Sequence, residues 1–211
     1  SNAYNLIDGI DGQAGTQALS FFVFMLLMFI FVFNKNAVLS YNDNFANSSF
    51  WLLVSIVMIG ALLGFLVFNW QPAKIFMGDT GSLFIGFLLA ICMLTMMDYN
   101  GENTNTVCSL KIKSNLLFIV MLFFLPLADT LRVFIYRVRR GKSPFSPDKT
   151  HIHHLFFRVG YQHKQIALTT LSIQVVISLI SIAMAFVLKD IYYILYIIGM
   201  WFVFVFSLRY Y

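Results

Sequence analysis

Residues 48–68 read "SSFWLLVSIVMIGALLGFLVF", and no charged side chain interrupts them. At about 1.5 Å of rise per residue, such a run crosses roughly 30 Å of hydrocarbon as one helix. Five more apolar stretches of similar character lie at 14–34, 81–97, 115–136, 165–188 and 190–208, the third-span stretch 81–97 being the shortest. Pro126 falls inside the fourth span, where it should kink the helix and leave backbone groups for neighbouring helices to satisfy. The pattern predicts an all-α, polytopic membrane helical bundle of about six transmembrane helices. Composition points the same way. The chain is 60% hydrophobic and 11% charged, against about 25% charged for soluble domains, and its mean hydropathy is +0.81.

Several other classes fall away. Only two cysteines are present, Cys92 in an apolar run and Cys108 in a polar loop, so no disulfide framework is expected. There is no repeat, low-complexity tract or separate soluble domain, and no nucleic-acid partner is expected. Ser1 to Ala3, "SNA", read as the scar of a cleaved tag, leaving 4–211 as the domain.

Lys and Arg set the orientation. With six spans, one face receives the N-terminal segment, the loop near 69–80, the loop 137–164 and the C-terminus, and with them nine basic residues. The other face receives four, Lys35, Lys111, Lys113 and Lys189, while Arg132 stays inside the fourth span. The richer face is expected to be cytoplasmic. It gathers three stretches with chemical character: "NLIDGIDG" (5–12), "FMGDTGS" (76–82) and "DKTHIHHLF" (148–156).

Each stretch admits two readings. Asp8 and Asp11, both followed by glycine, make tight turns, or they present carboxylates to a metal or a nucleotide. Asp79 either caps the third helix or supplies a hard oxygen ligand suited to Mg²⁺. Phe76 is an interfacial anchor or a ring on which a base stacks. Asp129 and Arg132, three residues apart, can face each other in the fourth helix, as a structural ion pair or a catalytic one. The loop 137–164 holds seven Lys or Arg against one carboxylate, Asp148, with Pro144 and Pro147 stiffening its middle. Its arginines suit topology and anionic lipid. For its clustered histidines phosphate contact ranks first, a solvated loop second and zinc third. A cytoplasmic site of carboxylates with a basic, histidine-bearing arm suits a diphosphate bound through Mg²⁺, and the membrane setting suggests a lipid substrate.

In order, "N-x-x-D-G-x-D-G", "F-M-G-D-x-G-S" and "R-V-R-R-G-K-S-P-F-S-P-D-K-T-H-I-H-H-L" resemble the polyprenyl-phosphate N-acetylhexosamine-1-phosphate transferases of glycosyltransferase family 4. The likeness is greatest to bacterial enzymes that initiate O-antigen, common-antigen or teichoic-acid glycans, and it extends over the C-terminal half of that family's fold. The resemblance implies transfer of a sugar-1-phosphate from a UDP-N-acetylhexosamine, UDP-GlcNAc by default, to undecaprenyl phosphate, with UMP released. It implies the bacterial inner membrane, a cytoplasmic active face, and Mg²⁺ with Mn²⁺ as an alternative. Asp79 and Asn5 would be the metal ligands. Asp8 and Asp11 would line the nucleotide site, Phe76 would stack on uracil, and Arg137, Lys149, His151, His153 and His154 would hold the diphosphate. "HIHH" departs from the branch that builds peptidoglycan.

Three departures matter. Gln13 stands where the family has Leu; Asn2 matches a motif Asn but lies within the tag scar; and no Asp-Asp pair occurs in the chain. Because the family assigns that pair to lipid-phosphate activation or metal binding, the chain alone is expected to be inactive. Competing classes are a transporter with a basic cytoplasmic gate and a zinc membrane hydrolase. The sugar, the downstream polymer and whether the protein is a homodimer stay open.

Overall fold

The computed structural model describes residue 4 and residues 7–31, 48–97, 120–143, 150–188 and 190–207. Within these the chain is all helical, in seven elements: α1 (Gln13–Phe31), α2 (Ser48–Asn69), α3 (Gly78–Met97), α4 (Phe124–Arg139), α5 (Ile152–Arg158), α6 (His163–Val187) and α7 (Asp190–Ser207). A helix lies within each expected span, while residues 32–34, 115–119 and 208 of those spans fall outside the described residues. Two satisfy the length and hydropathy of a crossing segment, Phe50–Asn69 and His163–Met184, with mean hydropathies of 2.6 and 2.1. The apolar helices Gln13–Met28, Gly78–Leu94 and Ile191–Ser207 are shorter.

Burial explains why this is a bundle for lipid. In α2 the side chains of Leu53, Ile56, Val57, Leu63, Val67 and Phe68 are all exposed. A soluble helix would turn that face inward, and contiguous apolar surface of this extent calls for an apolar solvent. The core lies on the other side. Helix α1 packs on α2 and α6, and α4 packs on α6 and α7. Phe21 of α1 stacks on Phe123 at the start of α4, ring centroids 4.3 Å apart. Cys92 is buried in this core.

The fourth span breaks as Pro126 requires. Residues 120–122 are helical, Phe123 is a turn, and α4 restarts at Phe124, which puts Pro126 in its first turn, where a missing N–H costs little. Gln174 of α6 satisfies the freed backbone. Its amide oxygen accepts from Leu125 N–H at 3.1 Å, and its amide nitrogen donates to the Leu122 carbonyl at 2.6 Å.

Two expectations are corrected. Asp79 does not cap α3 but lies within its first turn. Part of the loop 137–164 is helical: α5 buries Ile152, Leu155 and Phe156, an i, i+3, i+4 set whose spacing forms one apolar face against the bundle. Gln13, the first residue of α1, is buried, and its side-chain oxygen lacks a hydrogen-bond partner among the described residues.

Candidate functional site

The first two motifs meet. Asp8 accepts a hydrogen bond from the backbone N–H of Gly78, immediately before Asp79. Burial pushes the Asp8 carboxyl up to about 6, and the charge of Asp79 adds to the rise while the Gly78 bond opposes it. Among the described residues no Lys, Arg or His pairs with Asp8 or Asp79. Two neighbouring carboxylates without a cation form an unbalanced pair, and a divalent ion with oxygen preference is the natural complement.

Asn69, at the end of α2, holds these loops together. Its side-chain oxygen accepts from Gly12 N–H at 3.0 Å, and its amide donates to the Ile75 carbonyl at 2.8 Å. Gly12 has φ +77, and a Cβ there would meet the Trp70 ring at 3.1 Å. Only glycine combines that backbone conformation with that approach.

Asp11 plays a different part. Its Oδ2 accepts from Ala73 N–H at 3.3 Å. Its Oδ1 lies 3.4 Å from His163 Nδ1, which also lies 3.3 Å from the Asp11 backbone nitrogen. Asp11 therefore ties the N-terminal loop to the loop after α2 and to the start of α6. Lys164 N–H, bonded to the Gln71 side chain at 2.8 Å, repeats the tie.

The histidine stretch joins from the other side. At Gly9 a Cβ would lie 3.1 Å from His153 Nε2, so the Asp-Gly loop and the histidine ring share a surface. His151 and His153 lie nearly parallel, 6.0 Å apart, and His154 is 4.2 Å from His153. Burial pushes His153 down to about 4; neighbouring His154 and His151 add to that, and Asp129 opposes it. His153 is thus neutral near pH 7.

Behind His151 stands Asp129. His151 Nδ1 is 2.9 Å from Asp129 Oδ2, and Ile152 N–H donates to both carboxylate oxygens at 3.1 and 3.2 Å. Arg132 pairs with Asp129 Oδ1 at 2.7 Å and also donates to the Thr150 carbonyl. Holding Nδ1–H on a carboxylate leaves Nε2 as the working nitrogen. His151 Nε2 is buried and has no partner among the described residues.

The arrangement brings together Asp8 with Asp79, Gly9 with His153, and His151 with His153 and His154. Phe76 is 75% exposed, open to an incoming ring. Arg137 is buried on α4, about two turns beyond Asp129. Asn5 and Lys149 lie outside the described residues, as do Pro144, Pro147 and Asp148. Sequence reasoning did not single out Asn69 or the tie from Asp11 to His163, nor did it connect Asp129 to His151. Among the described residues no three His, Cys, Asp or Glu side chains cluster as a metal cage.

Fold and site together define a membrane-type helical protein whose carboxylate loops and histidine arm meet at one edge. Residues 1–97, a little under half of the chain, match glycosyl transferase family 4. It is 36% identical over 172 residues to the decaprenyl-phosphate N-acetylglucosaminephosphotransferase of Mycobacterium leprae, covering 79% of this chain and 41% of the relative. It is 32% identical over 184 residues to a probable undecaprenyl-phosphate N-acetylglucosaminyl 1-phosphate transferase of Bacillus subtilis (87% and 45%). It is 31% identical over 169 residues to the undecaprenyl-phosphate alpha-N-acetylglucosaminyl 1-phosphate transferase of Escherichia coli K12 (78% and 39%). The chain thus spans about two fifths of the length of these curated relatives.

Proposed function

We propose that this chain is part of an enzyme that transfers an N-acetylhexosamine-1-phosphate, GlcNAc-1-phosphate by default, from a UDP-sugar to a polyprenyl phosphate at the cytoplasmic face of a bacterial membrane. The observation that carries the reading is the meeting of Asp8 and Asp79 beside a loop on which His153 packs. The names of the relatives supply the polyprenyl phosphate and the GlcNAc phosphate.

In the reaction an oxygen of the lipid phosphate attacks the phosphorus attached to the sugar. A new P–O–P bridge forms, the bridging bond to the nucleotide breaks, and UMP leaves with that electron pair. Both reactants are anions, so the site must offset their repulsion and the charge shifting to the leaving oxygen. Asp79 and Asp8 fit a magnesium ion, with Asn5 as a further ligand, and the ion would neutralise diphosphate charge. His151, held by Asp129, presents Nε2 in a fixed direction, where it can hydrogen-bond a phosphate oxygen or a proton carrier. His153, neutral there, offers a hydrogen bond without added charge. Phe76 offers a face for uracil, and Arg137 a planar cation for phosphate oxygens.

The test is UMP release from UDP-GlcNAc and undecaprenyl phosphate, measured in a longer protein that carries this chain together with the aspartate pair. Release should require Mg²⁺ and the lipid and should collapse in Asp79→Asn. Release that ignores the lipid acceptor, or that persists undiminished in Asp79→Asn, overturns the proposal.

A further inference from the structure

A second cationic feature lies away from the carboxylate loops. Between α4, α5 and α7 is a cavity of about 630 Å³. Arg132 and Arg139 of α4 and Arg158 of α5 line it, together with Trp201, Phe202 and Val205 of α7. No carboxylate is among its lining residues, nor is Asp8, Phe76, Asp79 or any histidine. Arg132 is already paired with Asp129, so Arg139 and Arg158 supply the charge excess. Two of the lining residues also carry buried N–H donors without a partner among the described residues, Arg132 Nε and Trp201 Nε1. Unfilled donors and unbalanced cations call for a ligand rich in acceptor oxygens and negatively charged.

The cavity continues into grease. A groove of about 280 Å³, almost wholly apolar, runs between α4 and α7 and is lined by Leu127, Leu131, Ile197 and Ile198. Trp201 borders both spaces. Along the fourth span the groove covers residues 120–131 and the cavity 132–139; along α7 it covers 197–201 and the cavity 201–205. On both helices the apolar part comes first and the cationic part follows, toward the end that carries the arginine-rich loop. A slot with a cationic mouth and an apolar tail channel matches an amphiphile with an anionic head.

We infer that this slot binds an anionic phospholipid of the bilayer, its phosphodiester between Arg139 and Arg158 and an acyl chain along the groove between α4 and α7. The occupant reaches the proposed site through one residue. Arg132 lines the cavity and also holds Asp129 and the Thr150 carbonyl, which flank His151. A bound headgroup would steady Arg132 and with it the histidine arm.

The test uses the 211-residue chain in neutral detergent with phosphatidylglycerol or phosphatidylcholine of matched acyl chains, and native mass spectrometry counts the lipid retained. Phosphatidylglycerol should be retained over phosphatidylcholine by roughly fivefold or more. The preference should vanish in the exposed-residue variant Arg139→Gln/Arg158→Gln and survive in Arg140→Gln/Lys142→Gln, whose cations lie outside the cavity. Inorganic phosphate should not displace the lipid. Equal retention of the two lipids overturns the inference. So does an equal loss in the control variant, displacement by free phosphate, or displacement of phosphatidylglycerol by stoichiometric undecaprenyl phosphate. None of these readouts depends on transferase activity.

Discussion

Asp129 holds His151 by a 2.9 Å contact between Oδ2 and Nδ1, from a helix 22 residues earlier in the chain. The same carboxylate takes the Ile152 N–H and the Arg132 guanidinium. It therefore fixes the ring's tautomer, its direction and the start of α5 together. Asp129→Asn keeps the volume but loses the charge and one acceptor. In the longer protein that carries the aspartate pair, UMP release should fall about tenfold to a hundredfold with folding largely retained. Asp129→Ala strands Arg132 and should cost about 3 kcal/mol or more, read as a large drop in apparent melting temperature. Equal activity in Asp129→Asn and wild type would show that His151 needs no such support.

Gly9 and His153 make a second contact that can be tested in isolation. A Cβ at Gly9 would sit 3.1 Å from Nε2, close enough to shift the ring by a few tenths of an ångström. Gly9→Ala should lower activity several-fold at a stability cost of about 1 kcal/mol. In His153→Ala the same substitution should cost almost nothing, which a double-mutant cycle reads directly. Additive losses would mean that the two motifs do not touch in the working protein.

Asp8 gives a metal-linked prediction. Its carboxyl is pushed up to about 6, so ionising it above that pH weakens the folded state relative to the unfolded one. At about pH 7.5 without divalent ions, Asp8→Asn should be more stable than wild type, by up to about 2 kcal/mol after allowance for solvent screening. Millimolar Mg²⁺ should raise the melting temperature of wild type and leave Asp8→Asn and Asp79→Asn nearly unmoved. If Mg²⁺ stabilises all three alike, the ion binds elsewhere.

His153 titrates with the opposite sign. Its folded value of about 4 lies below the ordinary 6.5, so the unfolded chain binds the extra proton first. The stability it contributes is complete above about pH 6.5 and drains away as the pH falls toward 4, in total about 3 kcal/mol. His153→Asn removes this drain. Between about pH 7 and pH 4.5 the wild type should lose more stability than the variant; parallel curves would show that His153 is solvated.

Much of this architecture is legible in the sequence, because its signals are local. Apolar runs place the helices, and Pro126 marks the break in the fourth span. The motifs around Asp8 and Asp79 carry chemistry in their own residue types. What escapes is pairwise and distant. Asn69 and His163 are single polar residues at helix ends, with no periodicity to mark them, and their partners lie 57 and 152 positions away. Asp129 could be matched to Arg132 by helical spacing, but its bond to His151 depends on how the loop returns to α4. The short α5 had a signal in the spacing of Ile152, Leu155 and Phe156, which the neighbouring charges masked.

The break at Phe123 gives the sharpest test of the fold itself. Gln174 is fully buried, and it closes both backbone groups that Pro126 leaves open, Leu125 N–H and the Leu122 carbonyl. An ordinary side-chain bond between membrane helices is worth about 0.6 kcal/mol, because the separated helices find other partners. Here the partners are backbone groups with no water in reach, each costing about 1–3 kcal/mol if left bare. Gln174→Leu preserves size and apolar packing but closes neither group. It should therefore destabilise by about 2–4 kcal/mol, well above the ordinary value, with a clear fall in melting temperature. Gln174→Glu, which keeps an acceptor for Leu125 N–H, should recover part of that loss when protonated at low pH, because only then can it also donate to the Leu122 carbonyl. A Leu variant as stable as wild type would show that the helix closes its own break, and that Gln174 is a passenger.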